Sequence, residues 1–360
     1  MTTAQTDHKL NTIHKEHTVI KRVGFACKWL EEPNETANMK INARNRELNT
    51  GTTTVAWLNR QTRAVAEQKL YDLSMANIEA VRQLVDLVGD QTPALRMMRI
   101  GSDILPVYTE ASWRYVYQDS AFRQELESRF AAIGEIARAK DVRLSFHPGQ
   151  FCVLASDRPD VVERSIEEFE YHVDMARWMG YGKSWHDHGF KINVHISGKQ
   201  GPAGIVAVMD KLTPEARNLI TIENDENSWG LDASIELEKH VALVLDIHHH
   251  WVKTGEYIAA DDERVKRIHD SWRGVRPTMH YSVSREDLLT EHASDTKPDM
   301  NTLLTEGYKK QKLRAHSDFY WNRAANDWAL SFYDHFDIMC ESKSKNLASF
   351  KLYEYYQQTL

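Results

Sequence analysis

Cysteine and long apolar segments are scarce in this sequence. Its three cysteines, Cys27, Cys152 and Cys340, lie far apart, so they form neither a Cys-x-x-Cys pair nor the disulfide framework of a small secreted domain. No stretch approaches the ~20 consecutive apolar residues of a membrane span. Residues 1–20 are polar and lack the apolar run of a signal peptide. We therefore expect an intracellular, cytoplasmic protein with no membrane partner.

Positively charged residues are outnumbered by negatively charged ones, with 45 Lys and Arg against 52 Asp and Glu. The formal net charge is −7, which argues against a protein that coats nucleic acid by charge alone. An enzyme that acts on nucleic acid is not excluded, because metal-binding carboxylates add to the negative count and bound ions reverse the local field. A hydrophobic share of 42%, with 10 Trp, 14 Tyr and 11 Phe, is enough for a substantial core.

Short segments rich in β-branched residues alternate along the chain with longer segments that have apolar residues at three- and four-residue spacing. This order is typical of repeated βα units. Eight candidate strands lie at 22–29, 95–101, 142–147, 191–197, 219–223, 241–247, 277–282 and 336–341. The clearest amphipathic helices lie at 64–88, 121–139, 159–179 and 323–334.

Eight such units predict an α/β fold, a TIM (β/α)8 barrel in a single domain. A doubly wound open sheet is the competing architecture, but GFACKW (24–29) stands where a nucleotide-binding sheet carries a glycine-rich loop. We expect a polar N-terminal extension at 1–20, the barrel domain at 21–345 and a C-terminal helical tail at 346–360.

Two connections are longer than a barrel requires, at 31–61 and 284–315. Each follows a strand directly, which places it on the catalytic face of a barrel, where such loops shape substrate contacts. The alternative is that both are mobile surface insertions.

Potential metal ligands stand at the carboxyl ends of six predicted strands, namely His147, His195, Glu223, Asp246, His280 and Glu341. Taken alone, each histidine is better explained as a half-buried structural residue. Taken together, they favour a metal site, because a barrel brings the carboxyl ends of its strands around one pocket. Imidazole and carboxylate groups suit Mn²⁺, Zn²⁺ and Fe²⁺, and a carboxylate between two sites can bridge ions. The sequence therefore predicts a metalloenzyme.

Three further positions stay open at this level. In the triple-histidine run, strand alternation puts Asp246 on the face of His248, whereas a tight turn after the strand pairs it with His249. His316 is equally explained as part of a further site and as a surface histidine beside lysines. Glu110, after the second strand, is either a ligand or a solvated loop glutamate.

Several short motifs follow one another in the order in which they occur in the UV damage endonuclease family. They are RVGFAC (22–27), RIG (99–101), LP (105–106), RLSFHPGQF (143–151), VVERS (161–165), ENDE (223–226), DIHH (246–249), WRGVRPTMH (272–280) and DIMCESKSK (337–345). HPGQ and ENDE are each modest signals, but the order and spacing of the set are specific. The chain thus resembles this family over most of its length. Family members share a TIM barrel with the endonuclease IV type and with xylose isomerase-like proteins.

The resemblance implies metal ligands at His147, His195, Glu223, Asp246, His249, His280, His316 and Glu341. It therefore favours His249 over His248. Glu110 stands where the family often has a histidine ligand, and we expect it to join the metal ligands as an oxygen donor. The residues expected to act in catalysis are Glu223, Asp246, His280 and Glu341. Up to three divalent ions are implied, with Mn²⁺ as the first choice and Zn²⁺ or Mg²⁺ as alternatives.

The activity that the resemblance implies is metal-dependent hydrolysis of the phosphodiester 5′ to UV photoproducts, the pyrimidine dimers, and also at abasic sites, which initiates excision repair. Damaged double-stranded DNA is then the partner, and no obligate protein partner is implied. Gln150 and Phe151 are expected to push into the duplex at the lesion, where a ring stacks and an amide bonds base edges. Without the resemblance, Phe151 is better explained as packing beneath its loop. The expected DNA-contacting residues are Phe25, Gln150, Phe151, Lys309, Lys310, Lys343 and Lys345.

The chain departs from the family pattern at four positions. Glu110 replaces a histidine, and Thr278 replaces a lysine that some members carry in modified form. Phenylalanine replaces tyrosine at Phe25 and Phe151. Two rival functions are considered: a sugar isomerase or epimerase on a xylose isomerase-like metal barrel, and a damaged-DNA binder that no longer hydrolyses. The projecting Gln-aromatic loop argues against the first.

Overall fold

A computed structural model describes residues 19–31 and 47–360 of the chain. The strands are β1 Val23–Cys27, β2 Met97–Ile100, β3 Arg143–Phe146, β4 Lys191–His195, β5 Ile220–Glu223, β6 Ala242–Val244, β7 Thr278–Tyr281 and β8 Asp337–Cys340. Each lies inside its predicted segment, so the strand predictions are confirmed. Residues 1–18 of the expected extension and 32–46 of the first long connection lie outside the described residues.

All eight strands are parallel and follow the order β6-β5-β4-β3-β2-β1-β8-β7. The two ends of this order meet through a parallel bridge between Asp246 and His280. The backbone N–H of His280 donates to the carbonyl of Leu245 at 2.9 Å and strengthens this seam. The predicted TIM barrel is therefore confirmed.

Helices surround the strands. In the described part of the chain the α-helices are Val55–Leu58, Arg63–Gly89, Ser120–Ala139, Pro159–Trp178, Gly201–Met209, Pro214–Leu219, Leu231–Ile235, Ile247–Thr254, Glu263–Ser271, Met300–Thr305, Lys310–Leu313, Arg323–Leu330 and Lys345–Thr359. Short 3₁₀ helices occupy Pro93–Leu95, Arg114–Gln118 and Asp187–Gly189. The four predicted helices are present, the last of them ending at Leu330. No helix among the described residues has the length and apolar character needed to cross a bilayer.

Side-chain caps and burial explain where these elements form. Asp119 begins the helix Ser120–Ala139 by accepting a hydrogen bond from the N–H of Phe122 at 2.9 Å. The strands β3, β5, β7 and β8 are buried along their whole length. Burial on both faces is what a parallel sheet enclosed by helices requires.

The connection after β7 is a folded insertion with its own small core. Met300 and Leu303 of its first helix and Leu313 of its second pack against Trp251 of the helix Ile247–Thr254. The insertion is therefore attached to the barrel next to β6, and the alternative of a mobile surface insertion does not hold for it.

The last helix, Lys345–Thr359, packs onto the segment that follows β1. Asn346 makes two hydrogen bonds with the backbone of Leu30, at 2.7 and 2.8 Å. Phe350 lies edge-on to Trp29. The division of the chain into an extension, a barrel domain and a helical tail remains a proposal.

Candidate metal centre

The carboxyl ends of the strands gather the predicted ligands at one end of the barrel. His195 and Glu223 are the last residues of β4 and β5 and are partners in the parallel register. His147 follows β3 directly, and Glu341 follows β8. His280 lies in β7 at the seam with β6. Because parallel strands all end at the same edge, these side chains surround one pocket.

Glu223 lies at the centre of this cluster and is fully buried. Its Oε1 is 3.1 Å from Nδ1 of His280 and 3.4 Å from Nδ1 of His249. Its Oε2 is 3.4 Å from Nε2 of His147 and accepts a hydrogen bond from the amide of Asn193. Burial by itself raises the pKa of Glu223, but His280 and the other imidazoles outweigh burial and hold that pKa well below its usual range. Glu223 is thus an ionised carboxylate surrounded by nitrogen donors.

Two groups of three potential ligands share Glu223. The ligand atoms of His147, His195 and Glu223 lie within 4.8 Å of one another, and so do those of Glu223, Asp246 and His280. Oε2 of Glu223 faces the first group and Oε1 faces the second. Such mixed nitrogen and oxygen sets hold divalent ions of the first transition row.

One potential ligand atom of each residue in the second group lacks a hydrogen-bond partner, as expected for atoms that bind a metal ion. Within residues 19–31 and 47–360, Glu223 Oε1, Asp246 Oδ2 and His280 Nδ1 are buried and have no hydrogen-bond partner. Buried polar atoms are normally paired. The residues of both groups therefore fit divalent metal ions.

Asp246 links this centre to the helix that follows β6. It caps the helix Ile247–Thr254, since Oδ1 accepts a hydrogen bond from the N–H of His249 at 2.7 Å. Its second oxygen, Oδ2, lies 3.6 Å from Nδ1 of His249. Burial, together with the nearby charges of Glu223 and Glu341, raises the pKa of Asp246 well above its usual range. Carboxylates crowded in one buried site repel one another, and a divalent cation relieves that repulsion.

The same cap separates the three consecutive histidines. His249 faces the cluster, and its Nδ1 also lies 3.1 Å from the carbonyl of Asn224. His248 stacks on Trp251, with 5.7 Å between ring centroids. His250 points away from the cluster, and its Nε2 lies 2.8 Å from Oε2 of Glu256 at the surface. Of the three, the structure brings only His249 to Glu223, as the resemblance implies.

Glu341 lies beside the second group and is held by an arginine. Its Oε1 is 3.4 Å from Nδ1 of His280 and pairs with the guanidinium of Arg99 on β2. Burial raises the pKa of Glu341, but Arg99 and His280 outweigh it and hold the pKa well below its usual range. Arg99, which was not predicted, therefore fixes an ionised Glu341 next to His280.

Pairing of the two ends of the insertion positions His316. Ser284 and His316 form an antiparallel bridge, and the N–H of Ser317 donates to the carbonyl of Val283 at 3.0 Å. His316 lines a cavity of about 470 Å³ together with His249 and other residues of the cluster. The structure thus brings His316 to the pocket.

Glu110 does not reach the centre. The segment after β2 turns outward, where the hydroxyls of Tyr108 and Thr109 donate to carboxylates on the helix Pro159–Trp178 at 2.8 and 3.1 Å. The carboxylate of Glu110 accepts a hydrogen bond from Ser112 at 3.0 Å. These contacts tie the segment of Glu110 to that helix, and Glu110 belongs to neither group of three ligands, which corrects the expectation that it joins the metal ligands.

Phe25 also differs from expectation. Its ring is fully buried in β1 and lies edge-on to Trp29, with 5.8 Å between centroids. A buried ring cannot touch a duplex, so the predicted DNA contact of Phe25 is corrected. Gln150 is exposed and Phe151 is 85% exposed in the loop after β3. The alternative in which Phe151 packs beneath its loop is therefore wrong.

The four predicted lysines lie in the connections that follow β7 and β8. Lys309 and Lys310 stand at the start of the second helix of the insertion, where Nζ of Lys310 donates to the carbonyl of Lys253 at 2.7 Å. Lys343 and Lys345 follow β8, and Lys343 is half exposed. Burial lowers the pKa of Lys345. Lys309 and Lys310 thus belong to the insertion after β7, and Lys343 and Lys345 belong to the segment that leaves the carboxyl end of β8.

Two inward residues of β4 belong to the cluster without having been predicted. Lys191 and Asn193 alternate with His195 and so share its face of the strand. Asn193 accepts a hydrogen bond from Thr221 at 2.8 Å while its amide donates to Glu223. Nζ of Lys191 lies 3.4 Å from Nε2 of His280, and burial lowers the pKa of this lysine to about 7. The period-two spacing before His195 is the sequence signal that identifies both.

The ENDE motif supplies two more carboxylates that were not predicted. Oδ2 of Asp225 lies 3.4 Å from Nδ1 of His195. Oε2 of Glu226 lies 3.5 Å from Nε2 of His249. Burial by itself raises the pKa of Asp225, but its bonds with His195 and the following backbone hold that pKa far below its usual range.

Known proteins resemble this chain over most of its length. A family model described as UV-endonuclease UvdE matches residues 22–359. The UV DNA damage endonuclease of Bacillus velezensis is 27% identical over 292 residues, covering 78% of this chain and 86% of that protein. The protein of the same name from Bacillus pumilus is 26% identical over 290 residues, covering 77% and 85%.

A solved structure shares the barrel. The crystal structure of SacUVDE superimposes on this chain with a TM-score of 0.69 at 20% sequence identity. The match covers 94% of this chain and 99% of that one. At this identity the likeness establishes the common fold.

Proposed function

Because the chain belongs to the UV-endonuclease UvdE family and is therefore an endonuclease that acts on DNA, we propose that it cleaves duplex DNA at UV lesions. The reaction is hydrolysis of the phosphodiester 5′ to a pyrimidine dimer, with abasic sites as further substrates, and it initiates excision repair. Family membership argues against the alternative function, a sugar isomerase or epimerase on the same type of barrel. Damaged double-stranded DNA is the partner, with no obligate protein partner.

The observation that carries this proposal is the buried Glu223, with imidazoles of three different elements within 3.1–3.4 Å of its two oxygens. His147, His195 and Glu223 would hold one ion. Glu223, Asp246, His280 and Glu341 would hold a second, and His249 with His316 a third. Mn²⁺ suits this mixture of imidazole and carboxylate ligands, as do Zn²⁺ and, less well, Mg²⁺. Bound ions supply a lowered pKa for coordinated water and charge stabilisation on the phosphate.

Neighbouring residues of this chain keep the ligands in place. The amide of Asn193 is itself oriented by Thr221, so it holds one oxygen of Glu223 in a fixed direction. Arg99 does the same for Glu341. Groups of this kind reduce the reorganisation that catalysis needs, because the ligand set is arranged before the substrate binds.

Recognition of the lesion is assigned to the loop after β3. A phenylalanine ring that is 85% exposed beside the ligand pocket is available to stack on bases, and Gln150 next to it can bond displaced base edges. A distorted lesion costs less to bend and unstack than intact DNA, which gives selectivity without reading sequence. Lys309, Lys310, Lys343 and Lys345 would contact backbone phosphates around this loop.

Nicking of supercoiled plasmid tests the proposal. The metal-loaded protein should relax UV-irradiated plasmid when Mn²⁺ is present, and it should leave unirradiated plasmid intact. EDTA should abolish the reaction. Retarded migration of irradiated DNA without any nicking would instead identify the damaged-DNA binder considered above, and the proposal would be wrong.

A further inference from the structure

A carboxylate that was not predicted as a ligand, Glu226, lies close to the cluster. Glu226 follows β5 by three residues, and its side chain is 9% exposed. The turn that carries it is well ordered by hydrogen bonds, since Oδ1 of Asp225 accepts from the N–H groups of Asn227 and Ser228 at 2.7 and 2.6 Å. Hydrogen bonds within this turn therefore hold Glu226 beside the pocket.

The two nitrogens of His249 have different surroundings. Nδ1 lies 3.1 Å from the carbonyl of Asn224, which can only accept a hydrogen bond. Nδ1 therefore carries the proton of the neutral ring, and Nε2 keeps a free lone pair. A histidine whose other nitrogen donates to a backbone carbonyl in this way is oriented as metal-ligating histidines commonly are.

The free nitrogen of His249 faces Glu226 at a separation that suits a metal ion. The distance from Nε2 to Oε2 is 3.5 Å, which is beyond the ordinary range of about 2.7–3.2 Å for an N–H···O hydrogen bond. Two bonds of about 2.1 Å to a shared ion span that distance at an angle of about 110°, close to tetrahedral geometry. The pair is thus spaced as two ligands of one ion.

The remaining oxygen of Glu226, Oε1, has two other partners, the first of which is the side-chain amide of Asn227, which donates to it at 2.5 Å. Oε1 also pairs with the guanidinium of Arg314 at 3.0 Å. Arg314 stands two residues before His316, and both line the same cavity of about 470 Å³. One segment therefore supplies a group that orients Glu226 and the histidine expected to share its ion.

Asp225 does not compete for this role. Its Oδ1 accepts two backbone hydrogen bonds, and its Oδ2 lies near Nδ1 of His195 at 3.4 Å. It is placed to orient His195 from behind, as carboxylates next to metal-bound histidines do.

We propose that Glu226 is a ligand of the ion held by His249 and His316, and that it adds a carboxylate oxygen to these two imidazoles. This inference rests on the proposed function, which places a third ion at these histidines. It predicts that replacing Glu226 removes the third ion, whereas replacing Glu110 leaves that ion bound.

Metal content measures this directly, independently of DNA cleavage. Full-length wild type, Glu226→Gln and the matched variant Glu110→Gln would each be dialysed against Mn²⁺ and analysed by mass spectrometry and calorimetric titration. Glu226→Gln should bind one Mn²⁺ fewer per chain than wild type, or bind its weakest ion at least ~10-fold less tightly, since even groups behind the ligands cost about that much. Glu110→Gln should match wild type. Equal stoichiometry and affinity in Glu226→Gln, or loss of an ion in Glu110→Gln, would overturn the proposal.

A second measurement needs no variant. In wild-type crystals soaked with Mn²⁺, anomalous difference density should place an ion about 2 Å from Oε2 of Glu226 and from Nε2 of His249, the bond length of first-row divalent ions. Peaks confined to the ligands around Glu223 would refute the role of Glu226. Wild type that binds Mn²⁺ at Glu226 but leaves irradiated DNA uncut would defeat the proposed function alone. Wild type that binds no ion would defeat both.

Discussion

Replacing Glu223 by glutamine removes the charge around which the two ligand groups are arranged. Glutamine has nearly the same shape, and its amide oxygen can still accept the hydrogen bond that Asn193 now donates to Oε2. The barrel should therefore stay folded, and the circular dichroism spectrum should match that of wild type. The change tests chemistry and leaves packing almost untouched.

The size of the effect follows from the position of the two oxygens. Oε1 lies 3.1 Å from His280 and Oε2 lies 3.4 Å from His147, so both groups lose an anionic ligand at once. Loss of one charge-stabilising group commonly lowers kcat by about 10²–10³, and loss of a group that merely supports a ligand weakens metal binding by about 10–100-fold. We expect Glu223→Gln to cleave at least ~100-fold more slowly at saturating Mn²⁺, which corresponds to about 2.7 kcal/mol.

The assay is the initial rate of nicking of irradiated plasmid across a series of Mn²⁺ concentrations. Glu306→Gln, at the exposed end of the helix Met300–Thr305, makes the same chemical change away from the cluster and should behave as wild type. A folded Glu223→Gln protein that cleaves within about threefold of the wild-type rate, far short of the expected loss, would show that Glu223 is not the shared ligand.

Three further predictions concern the surroundings of this centre. Phe151→Ala should lower kcat/KM on irradiated DNA at least ~5-fold, because base stacking on an aromatic ring contributes about 1–3 kcal/mol, while Tm stays unchanged for a ring that is 85% exposed; a fall in Tm with unaltered cleavage would assign the ring to packing instead. Asn193→Ala leaves a buried oxygen of Glu223 without its donor, which should lower stability in thermal unfolding by about 1–3 kcal/mol and slow cleavage as well; an unchanged Tm would contradict that contact. Metal binding should weaken with falling pH already above the usual imidazole pKa of about 6.5, because nearby carboxylates outweigh burial and raise the pKa values of His195 and His249, and each bound proton must leave before the nitrogen can bind an ion. Calorimetric titration between about pH 8 and pH 6 measures this last effect, and affinity that is constant over that range, on both sides of the imidazole pKa, would refute it.

Local patterns in the sequence predict most of the barrel. Each strand is a short β-branched run that parallel pairing buries on both faces, and such runs are visible without knowledge of the rest of the chain. Their ligand-type ends then converge because all the strands are parallel. The barrel fold and the ligand-type residues at the ends of its strands can therefore be predicted from the sequence alone.

The choice among the consecutive histidines depends on a helix boundary that periodicity left open. Asp246 caps the helix that begins at Ile247, so its side chain bonds the N–H of His249. If β6 had instead continued through these residues, strand alternation would have placed His248, and not His249, on the same face as Asp246. Motif resemblance supplied the answer that alternation could not.

Glu110 and His316 depend on contacts distant in sequence. The outward path of Glu110 is set by hydrogen bonds of Tyr108 and Thr109 to a helix about 60 residues later in the chain. His316 is held by its bridge to Ser284, at the opposite end of the insertion. Contacts of this kind have no local signal in the sequence. For this reason the prediction for Glu110 was wrong, and His316 stayed open until the family resemblance was considered.

The central claim is that the metal-loaded cluster hydrolyses DNA next to a UV lesion. An end-labelled duplex with a single pyrimidine dimer, incubated with wild type and Mn²⁺, Mg²⁺, Zn²⁺ or EDTA, tests it most directly. One product is expected, cut at the phosphodiester 5′ to the dimer, and it should form with Mn²⁺ and be absent with EDTA. An intact duplex under every metal condition, in protein whose metal content has been verified, would contradict it.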